Sequence, residues 1–337
     1  MGIKSLTNSI KKEAPDSIIH ENLYRLSGKK VAVDASLIIY QNLLNIGNRP
    51  LFKNSKGKIT NHLSGLFYKI VNYLSLNIEL IFIFDGRPPS IKSETIKDRK
   101  VKSENAKAKM DNSSTQEDKD KYEKASIRLT KEMIDDVKKL LNLMGVSYIH
   151  PEVGEGEAYA AELCRIGYVD YVLTEDMDTI VYGCPKLITN CKDKTIKRKD
   201  IISIFDYQKI ISGFNLTHDQ FVEFCVLCGC DYCDSVPKIG NISALKLIKQ
   251  YGTVEEIIKN TKYVFPENYL DLFNQSKDIF YLWKDKIDVN KLEINKSQKN
   301  IAQLIQFLVG EIEMNETKVQ NGIKKIMNVH NFSLIND

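Results

Sequence analysis

KKVAVDAS, residues 29–36, and ELIFIFDGRPP, residues 79–89, decide the fold. Each holds a short apolar run that closes on an aspartate. Asp34 follows Val31-Ala32-Val33, and Asp85 follows Leu80-Ile81-Phe82-Ile83-Phe84. Runs of this length, rich in β-branched and aromatic residues, read as buried strands. Between them Leu63, Leu66, Phe67, Ile70, Val71 and Leu74 recur at helical spacing over His62 to Leu76. Strand, helix and strand in that order predict a parallel sheet with right-handed crossovers, an α/β class. In such sheets chemistry gathers at the carboxyl ends of the strands, where both aspartates stand.

Working outward, helical periodicity returns from Ile127 to Met144, with Gly145 as a stop. A short strand is expected at Val146 to Ile149, a helix from Gly154 to Ile166 stopped by Gly167, and a strand from Asp170 to Thr174. Thr217-x-x-Gln220 is a capping box that opens a helix over Phe221 to Cys228. Another helix runs from Ile242 to Tyr251 before Gly252, and Thr253-x-x-Glu256 is a second capping box. Arg87 to Lys124 differs: apolar residues are sparse, and lysines alternate with Glu, Asp, Asn and Ser. Such a stretch cannot bury enough surface to fold alone. Its cations begin directly after Asp85, at Arg87, Lys92, Lys97, Arg99, Lys100 and Lys102, which favours a mobile basic arch over a bare linker.

Five more acids join the two strand-end aspartates. Asp176 and Asp178 follow the apolar Tyr171-Val172-Leu173-Thr174. On an extended segment they share one face and Glu175 points away. Glu155 and Glu157 converge only at an irregular helix start, which Gly154 and Gly156 permit. Asp231 completes the set. Gathered carboxylates repel unless hard cations neutralise them, so a cluster with no convergent His or Cys points to Mg²⁺. Mg²⁺ on a basic protein points to phosphodiester chemistry.

The 337 residues carry a formal net charge of +4, too small an excess to establish nucleic-acid binding by itself. No apolar run reaches the roughly 18 residues of a membrane span. Seven cysteines without a signal-peptide pattern suggest reduced thiols. In Cys225-x-x-Cys228-x-Cys230-x-x-Cys233 the two pairs are separated by Gly229 alone, and Cys225 and Cys228 share an apolar face with Phe221, Phe224 and Leu227. Buried thiols fit that pattern better than zinc. Ser235 to Gly240 links two short helices and could offer backbone N–H groups to a phosphate.

In order along the chain, Met1-Gly2-Ile3, VAVDAS with Tyr40, FDGRPP, GEGEAYAA, TEDMD and GCDYCDSVPKIG resemble the flap endonuclease family of structure-specific nucleases, from residue 1 to about 330. The resemblance implies a PIN-like parallel sheet flanked by helices, a helical arch and a helix–two-turn–helix DNA clamp. It implies regions at 1–103 (nuclease), 104–119 (arch linker), 120–251 (nuclease with the clamp) and 252–337 (C-terminal helices on the core).

By resemblance, Asp34, Asp85, Glu155 and Glu157 serve a first Mg²⁺, and Asp176, Asp178 and Asp231 a second. Lys92 and Arg99 match residues that steer the scissile phosphate, and Tyr40 matches an aromatic that stacks on a nucleotide. Lys69, Glu155, Gly229 and Asp231 fall at DNA contacts, Arg49 lies close to another, and Ser235 stands where family members place K⁺. The implied activity is cleavage of 5′ flaps at single-strand/duplex junctions in replication and repair, with 5′–3′ exonuclease action beside it. The implied partner is branched DNA, and a monomer is expected.

Lys238 departs from the glycine usual in the hairpin, and Ile242 from a common lysine. The chain ends at Asp337 without the tail motif that would dock a sliding clamp, so clamp docking is not expected. It lacks the long insertion of the excision-repair paralogue and the long extension of the exonuclease paralogue. A catalytically silent junction binder is disfavoured by the seven intact acids. The expected location is nuclear for a cellular eukaryotic member, and cytoplasmic or a viral replication site otherwise.

Overall fold

The computed structural model describes residues 3, 5–44, 51–196, 198 and 200–333. Met1, Gly2, Arg49 and Asp337 lie outside the described residues. Among the described residues there are seven strands: β1 (Ile18–Asn22), β2 (Lys30–Asp34), β3 (Glu79–Ile83), β4 (Ser147–Ile149), β5 (Tyr171–Leu173), β6 (Lys186–Asn190) and β7 (Ile201–Asp206). The chain divides into two compact units. The first comprises Met1–Arg25, Asp85–Thr95 and Pro151–Leu292, and the second Leu26–Phe84, Ile96–His150 and Glu293–Asp337.

In the second unit β2, β3 and β4 pair in parallel, with Asp34 opposite Ile83 and Ile83 opposite Ile149. Val31, Ala32, Val33, Leu80, Ile81 and Phe82 are buried, so these strands are covered on both faces, as parallel strands are. The helix Asn61–Leu74 is the expected crossover from β2 to β3. The helix Lys131–Met144 ends on Gly145 at φ +70°, the left-handed stop read from the sequence. Helix Glu316–Ser333 closes on Asn61–Leu74, where a Cβ on Gly322 would meet the Phe67 ring at 2.9 Å.

The region read as too polar to fold by itself is helical here, in two pieces, Ser93–Asp111 and Gln116–Ser126. Lys, Glu and Ala are good helix formers, and local pairs assist them. The Thr115 hydroxyl caps Asp118 N–H, Ser103 Oγ donates to the Ser126 carbonyl at 2.6 Å, and Lys53 pairs with Glu123 at 2.7 Å. Helical order in this stretch therefore comes from propensity, capping and polar ties, with little apolar burial.

In the first unit β5 and β6 are parallel, while β7 runs antiparallel to both β6 and β1, in the order β1-β7-β6-β5. The α/β class holds. The antiparallel strands were not read from the sequence. The capping box at Thr217 forms in full, with Gln220 N–H on Thr217 Oγ1 at 3.2 Å and Thr217 N–H on Gln220 Oε1 at 3.0 Å. Thr217→Ala should cost about 1 kcal/mol of unfolding free energy, measurable by urea titration. An unchanged denaturation midpoint would show that the cap is redundant.

Candidate active site

Six of the seven acids belong to the first unit, and each is placed by a local backbone event. Asp85 follows the last strand residues of its run, and its Oδ1 accepts the Gly156 N–H at 2.7 Å, which ties it to the start of helix Gly156–Arg165. Glu155 is the N-cap of that helix and Glu157 lies in its first turn. The irregular start is made by Gly154 at φ +84°; a Cβ there would also lie 2.8 Å from the Trp283 indole nitrogen.

Asp176 and Asp178 converge differently from the reading of an extended segment. The chain turns after Thr174, Asp178 N–H reaches Asp176 Oδ1 at 3.2 Å, and Asp178 opens the short helix Asp178–Val181. Glu175 does point away, accepting Asn190 N–H at 2.6 Å and pairing with Lys192 at 2.8 Å. Asp231 sits in the loop after helix His218–Leu227, where its carbonyl accepts Thr95 Oγ1 at 2.6 Å.

Electrostatics bind this group together. Burial, then the charge of Asp176, pushes the Asp178 carboxyl well above the usual carboxylate range, against the Ile3 N–H that donates to its Oδ1 at 2.7 Å. Burial, and next the charge of Asp231 against the Asp178 N–H, moves Asp176 upward too. Lys92, closing the turn Ser90–Lys92, contacts Glu155 Oε1 and lies 3.6 Å from Asp231 Oδ2. Burial pulls its ammonium down, but Glu155, Glu157 and Asp231 outweigh that and the net displacement is upward.

Sequence reasoning missed Tyr232, whose phenol donates to Glu155 Oε2 and lies 3.3 Å from the Tyr182 hydroxyl. Burial pushes that phenol far up, so it stays protonated and donates. Thr179 Oγ1 reaches Glu157 Oε2 at 3.4 Å, and it was missed as well. Only the adjacency of Tyr232 to Asp231 could have flagged the first.

The second unit holds Asp34 at the carboxyl end of β2, where its Oδ1 accepts Leu37 N–H at 3.1 Å. Tyr40 lies half-buried on the helix Ala35–Leu44, Lys69 on Asn61–Leu74 and Arg99 on Ser93–Asp111. In the first unit Gly229 takes φ +94°, and a Cβ there would stand 2.8 Å from Ser235 N, so only glycine lets the loop close on Ser235. Lys238, in the place of the usual glycine, adopts φ +69°. Of the neighbouring thiols Cys225, Cys228 and Cys233 are buried and Cys230 is half-buried, and desolvation moves Cys228 and Cys230 up to about 12, values at which they stay neutral.

Among the described residues no three His, Cys, Asp or Glu side chains stand together as a ready-made metal cage. The chemistry of the donors nevertheless fits a hard cation: oxygen ligands only, crowded and mutually repelling, with the Lys92 ammonium drawn against Glu155 and Asp231.

The motifs that hold these acids match two family models, the XPG N-terminal domain over residues 1–106 and the XPG I-region over 145–231. Flap endonuclease 1 of Glycine max is 36% identical over 334 residues, covering 97% of this chain and 86% of that protein. Flap endonuclease 1 of Salmo salar is 35% identical over 336 residues, with 97% and 87% covered. The chain belongs to the flap endonuclease family. The solved flap endonuclease-1 from Methanococcus jannaschii superposes with a TM-score of 0.69 at 30% identity, over 93% of this chain and 97% of that one. The catalytic core of Rad2 in complex with DNA substrate shares the fold, with a TM-score of 0.70 at 23% identity over 96% and 100%. Family membership makes this chain a nuclease, and nucleases of the family are metal-dependent.

Proposed function

We propose that the chain is a Mg²⁺-dependent structure-specific nuclease that cuts 5′ flaps at the junction of single-strand and duplex DNA, with 5′–3′ exonuclease action on 5′ ends. The observation that carries this is the carboxylate group of the first unit with Lys92 set among it. Asp34, Asp85, Glu155 and Glu157 would hold one ion, and Asp176, Asp178 and Asp231 a second. The chemistry Mg²⁺ supplies at such a site is activation of a water and charge stabilisation on the leaving oxygen.

The remaining roles belong to side chains. Tyr232 and Thr179 orient Glu155 and Glu157 by hydrogen bonds, and Ile3 N–H orients Asp178. Lys92 and Arg99 offset charge developing on the phosphate. Tyr40 stacks on a nucleotide, Lys69 and Gly229 contact the DNA, and the Ser235–Gly240 turn offers backbone N–H groups to a duplex phosphate, with Ser235 the candidate K⁺ position. The protein acts as a monomer on branched DNA, in the nucleus of a cellular eukaryote or at a cytoplasmic or viral replication site.

A panel of 5′-flap, nicked and gapped duplexes, assayed with Mg²⁺ and with EDTA, tests the reading. The expected result is Mg²⁺-dependent cutting concentrated at the flap junction. Equal cutting of linear single strands, or activity surviving EDTA, would sink it.

A further inference from the structure

A cavity of about 530 Å³ in the first unit has no part in the reaction described above. Its lining includes Glu175 and Met177, the residues on either side of Asp176, and none of the site carboxylates. Its floor is a polar row on the sheet. His20, Ser203 and Thr189 are direct cross-strand partners on β1, β7 and β6. Ser203 Oγ and His20 Nδ1 lie 3.1 Å apart, and Ser203 and Thr189 are buried. Residues two apart on a strand share a face, so Ile18 and Phe205 continue this row as an apolar wall. His20, on the edge strand, is exposed, while the two hydroxyls beside it are buried, and a pair of buried hydroxyls opening into a cavity is suited to recognition.

The rim supplies charge. Thr7 and Lys11 are four residues apart on the helix Leu6–Glu13 and so share one face. Lys192 and Lys194 follow β6. Three lysines against Glu175 and Asp193 leave the rim net positive, and Glu175 already engages Lys192. A concave site with an apolar wall, a few placed hydroxyls and cations at one side, in the size range of about 300–1,000 Å³, is built for a small organic ligand bearing an anion. The volume is several times that of a bare phosphate, so an anion alone would leave the wall and the hydroxyl row unused.

We propose that this cavity binds a nucleoside 5′-monophosphate. The phosphate meets Lys11 and Lys194, the sugar hydroxyl meets Ser203 and Thr189, and the base lies against Phe205 and Ile18. Because Glu175 and Met177 flank Asp176 directly, an occupant bears on the turn that places that acid.

Calorimetric titration of the full chain with dAMP in EDTA tests this, since chelation removes metal-bridged binding at the carboxylates. Inorganic phosphate and deoxyadenosine serve as separate probes. The expected result is saturable one-site binding of dAMP, with each half-ligand weaker by at least about tenfold. Lys11→Glu with Lys194→Glu should weaken dAMP by at least about tenfold while the melting temperature holds. The milder Lys11→Gln with Lys194→Gln replaces that pair should charge reversal unfold the protein. Phosphate binding as tightly as dAMP, dAMP binding unchanged in the lysine variants, or no saturable binding at millimolar dAMP would each overturn the proposal. A single-stranded oligonucleotide that displaces dAMP with higher affinity would overturn it too, by making the surface a strand groove.

Discussion

Asp178→Asn should abolish cleavage and yet raise the melting temperature of the metal-free protein. The two effects share one cause. Asp178 is buried, and burial together with the charge of Asp176 holds its carboxyl above the usual carboxylate range. A folded-state pKa that lies above the unfolded one means the native state binds more protons between those two values. Stability is then highest below the unfolded value and is lost as pH rises through the folded one. Ionising the group is therefore a cost the fold carries for function. Asparagine keeps an oxygen for the Ile3 N–H, seen at 2.7 Å, and removes the charge.

The variant should therefore flatten the decline of metal-free stability with rising pH above the unfolded carboxylate range. It should also lose most of the stabilisation that Mg²⁺ gives the parent, since an ion bound only by the native state stabilises by mass action. Cleavage at saturating flap substrate should fall by at least about a thousandfold, the upper scale seen when one preorganised electrostatic contact is removed. Thermal melts with and without Mg²⁺, beside single-turnover kinetics, read all three. A variant that is no more stable than the parent without metal, or that cuts at a near-parental rate, would show that Asp178 carries no buried charge held for an ion.

Much of this was legible in the sequence, and what was not has a physical reason. β2 and β3 were readable because strands covered on both faces are apolar through their middle, and β4 and β5 as shorter runs that follow the helix stops Gly145 and Gly167. β1, Ile-Ile-His-Glu-Asn, has no such run: it is an edge strand whose partner β7 lies far along the chain, with Ile18 opposite Phe205. Strand ends made the acids visible one by one. Their mutual placement was not visible, because it depends on contacts remote in sequence. Tyr232 reaches Glu155 across 77 positions, and Ile3 N–H reaches Asp178 across 175. Even the close pair Asp176 and Asp178 converges through a turn that simple strand periodicity does not contain. The polar stretch beyond Asp85 is a different case. Its helical spans cannot be read from hydrophobic periodicity, because they rest on residue propensity and polar ties, with a side-chain cap at Thr115 on the second.

Lys92→Ala should act on stability with the opposite sign and on catalysis with the same one. Its ammonium contacts Glu155 and lies 3.6 Å from Asp231, with only 13% of the side chain exposed. Truncation leaves those carboxylates facing each other without a counter-charge, a loss of about 3 kcal/mol for a buried pair broken on one side. The metal-free variant should therefore melt below the parent, and Mg²⁺ should recover more stability in it than in the parent, because the ion replaces the missing charge.

Rescue by Mg²⁺ should not extend to the reaction. A cation that follows charge onto the phosphate acts in the transition state, and its removal lowers the single-turnover rate at saturation by about a hundredfold to a thousandfold. Flap binding, measured in Ca²⁺, should change far less, since affinity for DNA is dominated by phosphate contacts spread over the whole surface. Lys92→Arg separates charge from geometry: it should restore the melting temperature and only part of the rate, because a planar guanidinium does not reproduce a point charge. Should Lys92→Ala weaken binding while leaving the saturated rate intact, Lys92 would be a docking contact, and its place among the acids would serve only to hold the metal-free site together.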